Sequence, residues 1–133
     1  LVTNETTEQD SPSLVFRAWD GDPATSWKSW WYSRSNFSGK GGIGLAISLA
    51  ETSRVTELEL AMNSNGGNVQ WRVDASADQP ETGTVLLEGP MSGQTILTPS
   101  APIATDTIIL WFNDLPIDAE GKFRIDLAEI YVR

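Results

Sequence analysis

The sequence predicts an all-β domain, a sandwich or barrel of about eight short antiparallel strands. From residue 14 onward, apolar and polar residues alternate in short runs that Gly, Pro, Asn and Asp clusters separate. No stretch keeps a convincing helical period beyond two turns, and there is no internal repeat.

The elements follow in chain order. Residues 1–13 contain TNETTEQDSPS, which is polar, acidic and aperiodic, so they read as a flexible linker before a domain spanning 14–133. Leu14 to Trp19 reads as a short strand. Gly42 to Leu49 alternates cleanly, placing Ile43, Leu45, Ile47 and Leu49 on one face. Val55 to Met62 follows with Leu58, Leu60 and Met62 inward, and NSNGGN at 63–68 reads as a turn whose glycines supply positive φ. Val69 to Ala75 turns Val69, Trp71 and Val73 to one side. Thr84 to Glu88 and Gln94 to Leu97 are two further strands.

Thr107 to Phe112, TIILWF, is almost continuously apolar, as a central strand covered on both faces would be. The last strand runs from Phe123 to Val132. Its inward set is Phe123, Ile125 and Leu127, then Ile130 and Val132. The alternation slips by one residue at Ala128, which predicts a β-bulge.

Composition narrows the function. The 133 residues carry nine basic and eighteen acidic side chains, a net charge of −9. Nucleic acid and anionic membrane surfaces are poor partners for such a surface, because both bind through Lys and Arg. Neutral sugars, cationic groups and divalent metals suit it better. Cysteine and histidine are both absent, which removes disulfides, thiol catalysis, imidazole-based triads and the usual zinc ligands. No apolar run approaches the roughly 18 residues needed to span a bilayer. The chain starts at Leu1 without a signal peptide, as a piece of a longer protein would, and a monomer is expected.

Two segments carry candidate sites. In the first, WDGDPATSW at 19–27, Asp-Gly and Asp-Pro make a dense turn and Trp27 returns an aromatic to the core. The second is SWWYSRSNF at 29–37. Three adjacent aromatics cannot all face one core, so at least one of Trp30, Trp31 and Tyr32 should be exposed. Exposed rings stack on sugar faces, and Arg34 or Asn36 would bond to hydroxyls. Alternatively, the cluster caps the open end of the fold. Asp114 and Asp118 form a carboxylate pair of the kind that runs glycoside hydrolysis, but NDLPIDAEGK reads as ordinary solvated loop. GKGGIG at 39–44 enters a strand rather than a helix, which argues against a phosphate cradle.

The order DGDPATSW, GIGLAISL, VTELELAM, VQWRVDAS and FRIDLAEIYV resembles the discoidin or galactose-binding-like domains over residues 14–132. That resemblance implies a jelly-roll β-sandwich that binds ligands through the loops at one end. It also implies a structural calcium held by Asp20, Asp22, Thr25 and Glu129, partly through backbone carbonyls. Oxygen ligands from a turn plus a distant carboxylate suit calcium. The competing expectation is a metal-free ion pair of Asp20 with Arg124 or Arg17.

More narrowly, DGDPATSW, the aromatic loop, GGIGLAISL and GKFRIDLAEIYV together resemble the extracytoplasmic C-terminal domain of actinobacterial MviN proteins, which are lipid II flippase-like. That likeness implies a non-catalytic, cell-surface domain tethered by an upstream membrane segment, with peptidoglycan or another glycan as the expected ligand. The alternatives are a carbohydrate-binding module of a secreted glycoside hydrolase and a protein-interaction domain.

Overall fold

The computed structural model describes residues 2–3, 12–22, 24–29, 42–74 and 83–133. Ten strands stand among them: β1 (Val2–Thr3), β2 (Trp27–Lys28), β3 (Ile43–Val55), β4 (Leu58–Met62), β5 (Ser64–Val73), β6 (Thr84–Met91), β7 (Gln94–Leu97), β8 (Ile103–Asp114), β9 (Ile117–Asp118) and β10 (Asp126–Val132). The larger sheet runs β1-β3-β8-β5-β6, with β9 paired to β5 off that path. The smaller runs β2-β10-β4-β7, and every pairing is antiparallel. The result is the expected all-β jelly-roll sandwich.

The core lies between the inward faces that the alternation marks. Ile43, Leu45 and Ile47 on β3, Leu58, Leu60 and Met62 on β4, and Val69 and Trp71 on β5 are all buried. They meet Ile108, Leu110 and Phe112 of β8, with Ile125, Leu127 and Ile130 from the C-terminal segment. Trp27 and Trp71 are among the largest fully buried side chains. Truncating Trp71 to Ala removes contacts worth about 3–5 kcal/mol. Strand β8 has neighbours on both sides, and residues 108–112 are buried without a break, so both faces of TIILWF are covered. The register of β10 against β4 shifts between Leu127 and Glu129, placing a bulge at Ala128 as the slipped alternation predicts.

Several elements differ from the sequence-based expectation. Pro12–Trp19 forms a 3-10 helix, η1, instead of a strand at 14–19. Its Val15 and Ala18 are three residues apart, matching three residues per turn, and both pack on the core. Val55 closes β3 instead of opening β4, and Thr56–Glu57 make the connection. The NSNGGN segment does not stay a turn: β5 begins at Ser64, with Gly66 and Gly67 at positive φ inside it. Val2 and Thr3 pair with Gly44 and Ile43, so backbone pairing begins ahead of residue 14. Among the described residues no helix is long and apolar enough to cross a membrane.

Candidate functional site

One end of the sandwich gathers the start of β3, the β4–β5 connection and the segment from β8 to β10. Ser29, which leads out of β2, is fully buried there and tightly held. Its N–H donates to the Ile125 carbonyl at 2.9 Å, and its Oγ accepts the Ile125 N–H at 2.9 Å. Its carbonyl accepts Arg124 Nε at 3.2 Å and Nη2 at 3.1 Å. Arg124 is steadied in turn by Asp118, 3.9 Å away. Asp118 Oδ1 accepts the N–H groups of Glu120 and Lys122, both at 2.9 Å. Asp118 is therefore a nearly buried structural carboxylate and not the solvated loop residue the sequence suggests. This occupation leaves it unsuited to act with Asp114 as an acid–base pair.

The other side of that end is equally built. Asp126, 8% exposed, accepts Asn63 Nδ2 at 3.2 Å and faces Lys28 Nζ at 4.0 Å. Its N–H donates to the buried Ser64 Oγ at 3.1 Å. Gly42 leads into β3 beside the Trp111 ring, where an added Cβ would come within 2.6 Å of the Phe112 carbonyl oxygen and 2.8 Å of the ring. Ser29 and Gly42, which flank residues 30–41 in the sequence, are thus both held at this end of the sandwich. Trp30, Trp31, Tyr32, Arg34 and Asn36 themselves lie outside the described residues.

The second candidate, the Asp20 turn, packs against β10. Asp20 Oδ1 accepts the Asp22 N–H at 2.9 Å, and Oδ2 accepts the Thr25 hydroxyl at 2.5 Å. These bonds, that of Thr25 first, hold the Asp20 carboxyl below its ordinary range. Asp22 Oδ1 accepts the Ala24 N–H at 2.9 Å, so the Asp22 carboxylate already caps the turn. Glu129, 108 residues away along the chain, accepts the Gly21 N–H through Oε2 at 3.3 Å. Its Oε1 is buried and has no hydrogen-bond partner among the described residues. Burial, with the nearby Asp20 and Asp22 charges, pushes the Glu129 carboxyl up despite the Gly21 bond.

The ion pair of Asp20 with Arg124 or Arg17 does not form among the described residues; Arg124 turns to Asp118 and Ser29. Thr25 is bonded to Asp20, Glu129 reaches the Gly21 N–H beside them, and the Asp22 carboxylate is spent on the turn. Among the described residues no three acidic side chains gather closely enough to hold a cation alone. Any ion here would need the Thr25 hydroxyl and backbone carbonyls besides the carboxylates. The orphaned Glu129 Oε1 is the observation that fits a hard cation.

One polar constellation went unforeseen. On the outer face of the larger sheet, Arg72 donates through Nε at 2.9 Å and Nη2 at 2.7 Å to Gln70 Oε1. Its guanidinium lies 5.9 Å from the Trp111 ring centroid. Asn68 Nδ2 donates to Glu88 Oε1 at 2.9 Å and to Asn113 Oδ1 at 2.8 Å. The alternation of Asn68, Gln70 and Arg72 against inward Val69 and Trp71 carried the signal, but the partners come from β6 and β8.

No family model matches the chain. It is similar to the family 32 carbohydrate-binding module of NanJ from C. perfringens, solved with galactose: TM-score 0.63 and 18% identity over 98% of this chain and 89% of that one. The family 32 module of AlyQ, in complex with 4,5-unsaturated mannuronic acid, gives a TM-score of 0.64 and 14% identity over 98% of this chain and 95% of that one. A family 29 fucosidase from Ruminococcus gnavus, in complex with fucose, matches 88% of this chain within 21% of its own length, at TM-score 0.61 and 16% identity. At these identities the likeness is one of fold, a jelly-roll sandwich of two antiparallel sheets.

Proposed function

We propose that this domain is a non-catalytic glycan-binding module acting outside the cytoplasm, with its binding edge at the end of the sandwich between Ser29 and Gly42. The observation that carries the reading is the sandwich itself, which matches over 98% of its length a module solved with galactose. The anchoring of Ser29 and Gly42 supports it, because rigid attachment of a binding loop lowers the ordering cost of holding a ligand. Trp30, Trp31 and Tyr32 supply stacking surfaces, and Arg34 and Asn36 supply hydrogen bonds to hydroxyls.

A structural calcium belongs to the same proposal. Glu129, Asp20 and Thr25 Oγ1 would hold it with backbone carbonyls, Asp22 contributing its carbonyl rather than its carboxylate. Bound there, calcium would neutralise the buried Glu129 and tie the turn to β10.

The MviN resemblance makes peptidoglycan and its lipid-linked precursor the first glycans to test, on a domain tethered by an upstream membrane segment. A module of a secreted hydrolase is the second reading, favoured by the fucosidase that contains a similar domain. Titrating muropeptides, plain sugars and lipid-linked precursor against tryptophan fluorescence tests the proposal. A saturable change with any of them supports it; an unchanged signal at millimolar ligand defeats it.

A further inference from the structure

We infer that the outer face of the larger sheet carries a second saccharide-binding surface, built by Asn68, Asn113 and Glu88 and suited to an uncharged sugar with adjacent hydroxyls. Asn68 spends both hydrogens of its amide nitrogen, on Glu88 Oε1 and Asn113 Oδ1, which fixes the orientation of all three side chains. Gln70 Nε2, 3.5 Å from the same Glu88 oxygen, steadies it further. Three groups then remain without a hydrogen bond among the described residues: Asn68 Oδ1, Asn113 Nδ2 and Glu88 Oε2.

They form an acceptor, a donor and an acceptor on neighbouring strands. The strand register sets Asn68 opposite Asp114, next to Asn113, and Gln70 opposite Glu88. A hydroxyl both donates and accepts, so two adjacent hydroxyls satisfy such a set without residue, whereas an apolar partner would leave it bare. Because β5, β6 and β8 hold these side chains and their mutual bonds orient them, little conformational entropy remains to be lost on binding.

The surface beneath is firm. Trp111 lies over Gly42, is itself nearly buried, and meets Arg72 on the same face. It stands opposite Gln70 in the register and offers no open ring for stacking, so the affinity rests on hydrogen bonds. Charge selects the sugar. Glu88 is exposed, no described ion pair neutralises it, and the whole chain carries −9, which opposes a uronate.

The test is NMR of the intact chain with galacto-, gluco- and manno-oligosaccharides, and with oligogalacturonate as the charged comparison. The expected result is a shift of the Asn68 and Asn113 side-chain amide resonances with an uncharged oligosaccharide. Asn113→Ala should weaken that shift's titration by at least about fivefold, the loss of roughly one hydrogen bond. Glu88→Gln should admit oligogalacturonate, which the native chain rejects. Amide resonances that stay fixed at saturating saccharide overturn the inference, even if Asn113→Ala does not fold. Shifts confined to the Ser29–Gly42 end would overturn it while leaving the proposed function standing. No binding by any of these oligosaccharides would overturn the inference; the proposed function falls only if muropeptides and lipid-linked precursor fail to bind as well.

Discussion

Gly67→Ala should be far more damaging than Gly66→Ala, although the two glycines are adjacent and both adopt positive φ, 68° and 90°. A Cβ on Gly66 would meet nothing within 4 Å. A Cβ on Gly67 would run into the Asp114 carbonyl oxygen and stand 2.6 Å from the Leu115 carbonyl carbon and the Pro116 nitrogen. Those are backbone atoms, which cannot swing aside as a side chain could. The left-handed conformation costs either alanine about 1–2 kcal/mol. Forcing a methyl group into packed structure adds about 1–3 kcal/mol at Gly67 alone. The gain from a stiffer unfolded chain, about 0.4–1 kcal/mol, is common to both variants and cancels in the comparison. At the specific unfolding entropy of globular proteins, 133 residues give about 0.28 kcal/mol/K, so each kcal/mol moves Tm by about 4 °C. Thermal unfolding followed by circular dichroism should therefore place Gly67→Ala about 4–12 °C below Gly66→Ala. Equal melting temperatures for the two would refute the close approach of β5 to the β8–β9 connection.

Other perturbations separate the interactions described above. Calcium at about 100 times its dissociation constant should stabilise the native chain by about 2.7 kcal/mol, near 10 °C in Tm, and should do nothing for Glu129→Gln; equal Tm values with calcium and with chelator would remove the metal. In chelator, the raised Glu129 carboxyl makes the folded state the better proton binder. Its contribution is thus present at low pH and lost as pH rises through the folded-state value, and Glu129→Gln should abolish that part of the pH profile. Arg124→Ala removes the guanidinium bonded to the Ser29 carbonyl and paired with Asp118, which keeps its bonds from the Glu120 and Lys122 N–H groups, and should cost about 1.5–3 kcal/mol in urea denaturation; a loss under 1 kcal/mol would mean the end of the sandwich is held by other contacts. Arg133→Ala breaks the pairs with Glu57 at 2.9 Å and Glu59 at 2.7 Å, but the arginine side chain is half exposed, so the same assay should show a far smaller loss than for Arg124→Ala.

The parts of the fold legible in the sequence are those set by period-two burial. The inward sets of β3, β4 and β5 and the slip at Ala128 could be read because one residue's shift turns every side chain over. The helix at 12–19 was not legible, since Val15 and Ala18 in so short a run fit a strand's neighbours as well as a three-residue turn. Asp118 looked solvated because nothing local announces Arg124 or the turn N–H groups that enclose it. The same limit hid the fate of Asp20. Two arginines were available to it by composition, yet folding delivers Glu129 instead, a like charge brought in by the β10 register. The Asn68–Glu88–Asn113 network joins three strands separated by 20 to 45 residues, a juxtaposition that only the sheet creates.

The central claim is that the Ser29–Gly42 end binds glycan. Isothermal titration of the chain with muropeptides, plain sugars and lipid-linked precursor, repeated with Trp30→Ala, Trp31→Ala and Tyr32→Ala, tests it most directly. The account predicts saturable binding of at least one of these ligands and its loss in at least one of the three variants, with the circular dichroism spectrum intact. Binding that survives all three substitutions, or no heat of binding at millimolar ligand, would contradict it.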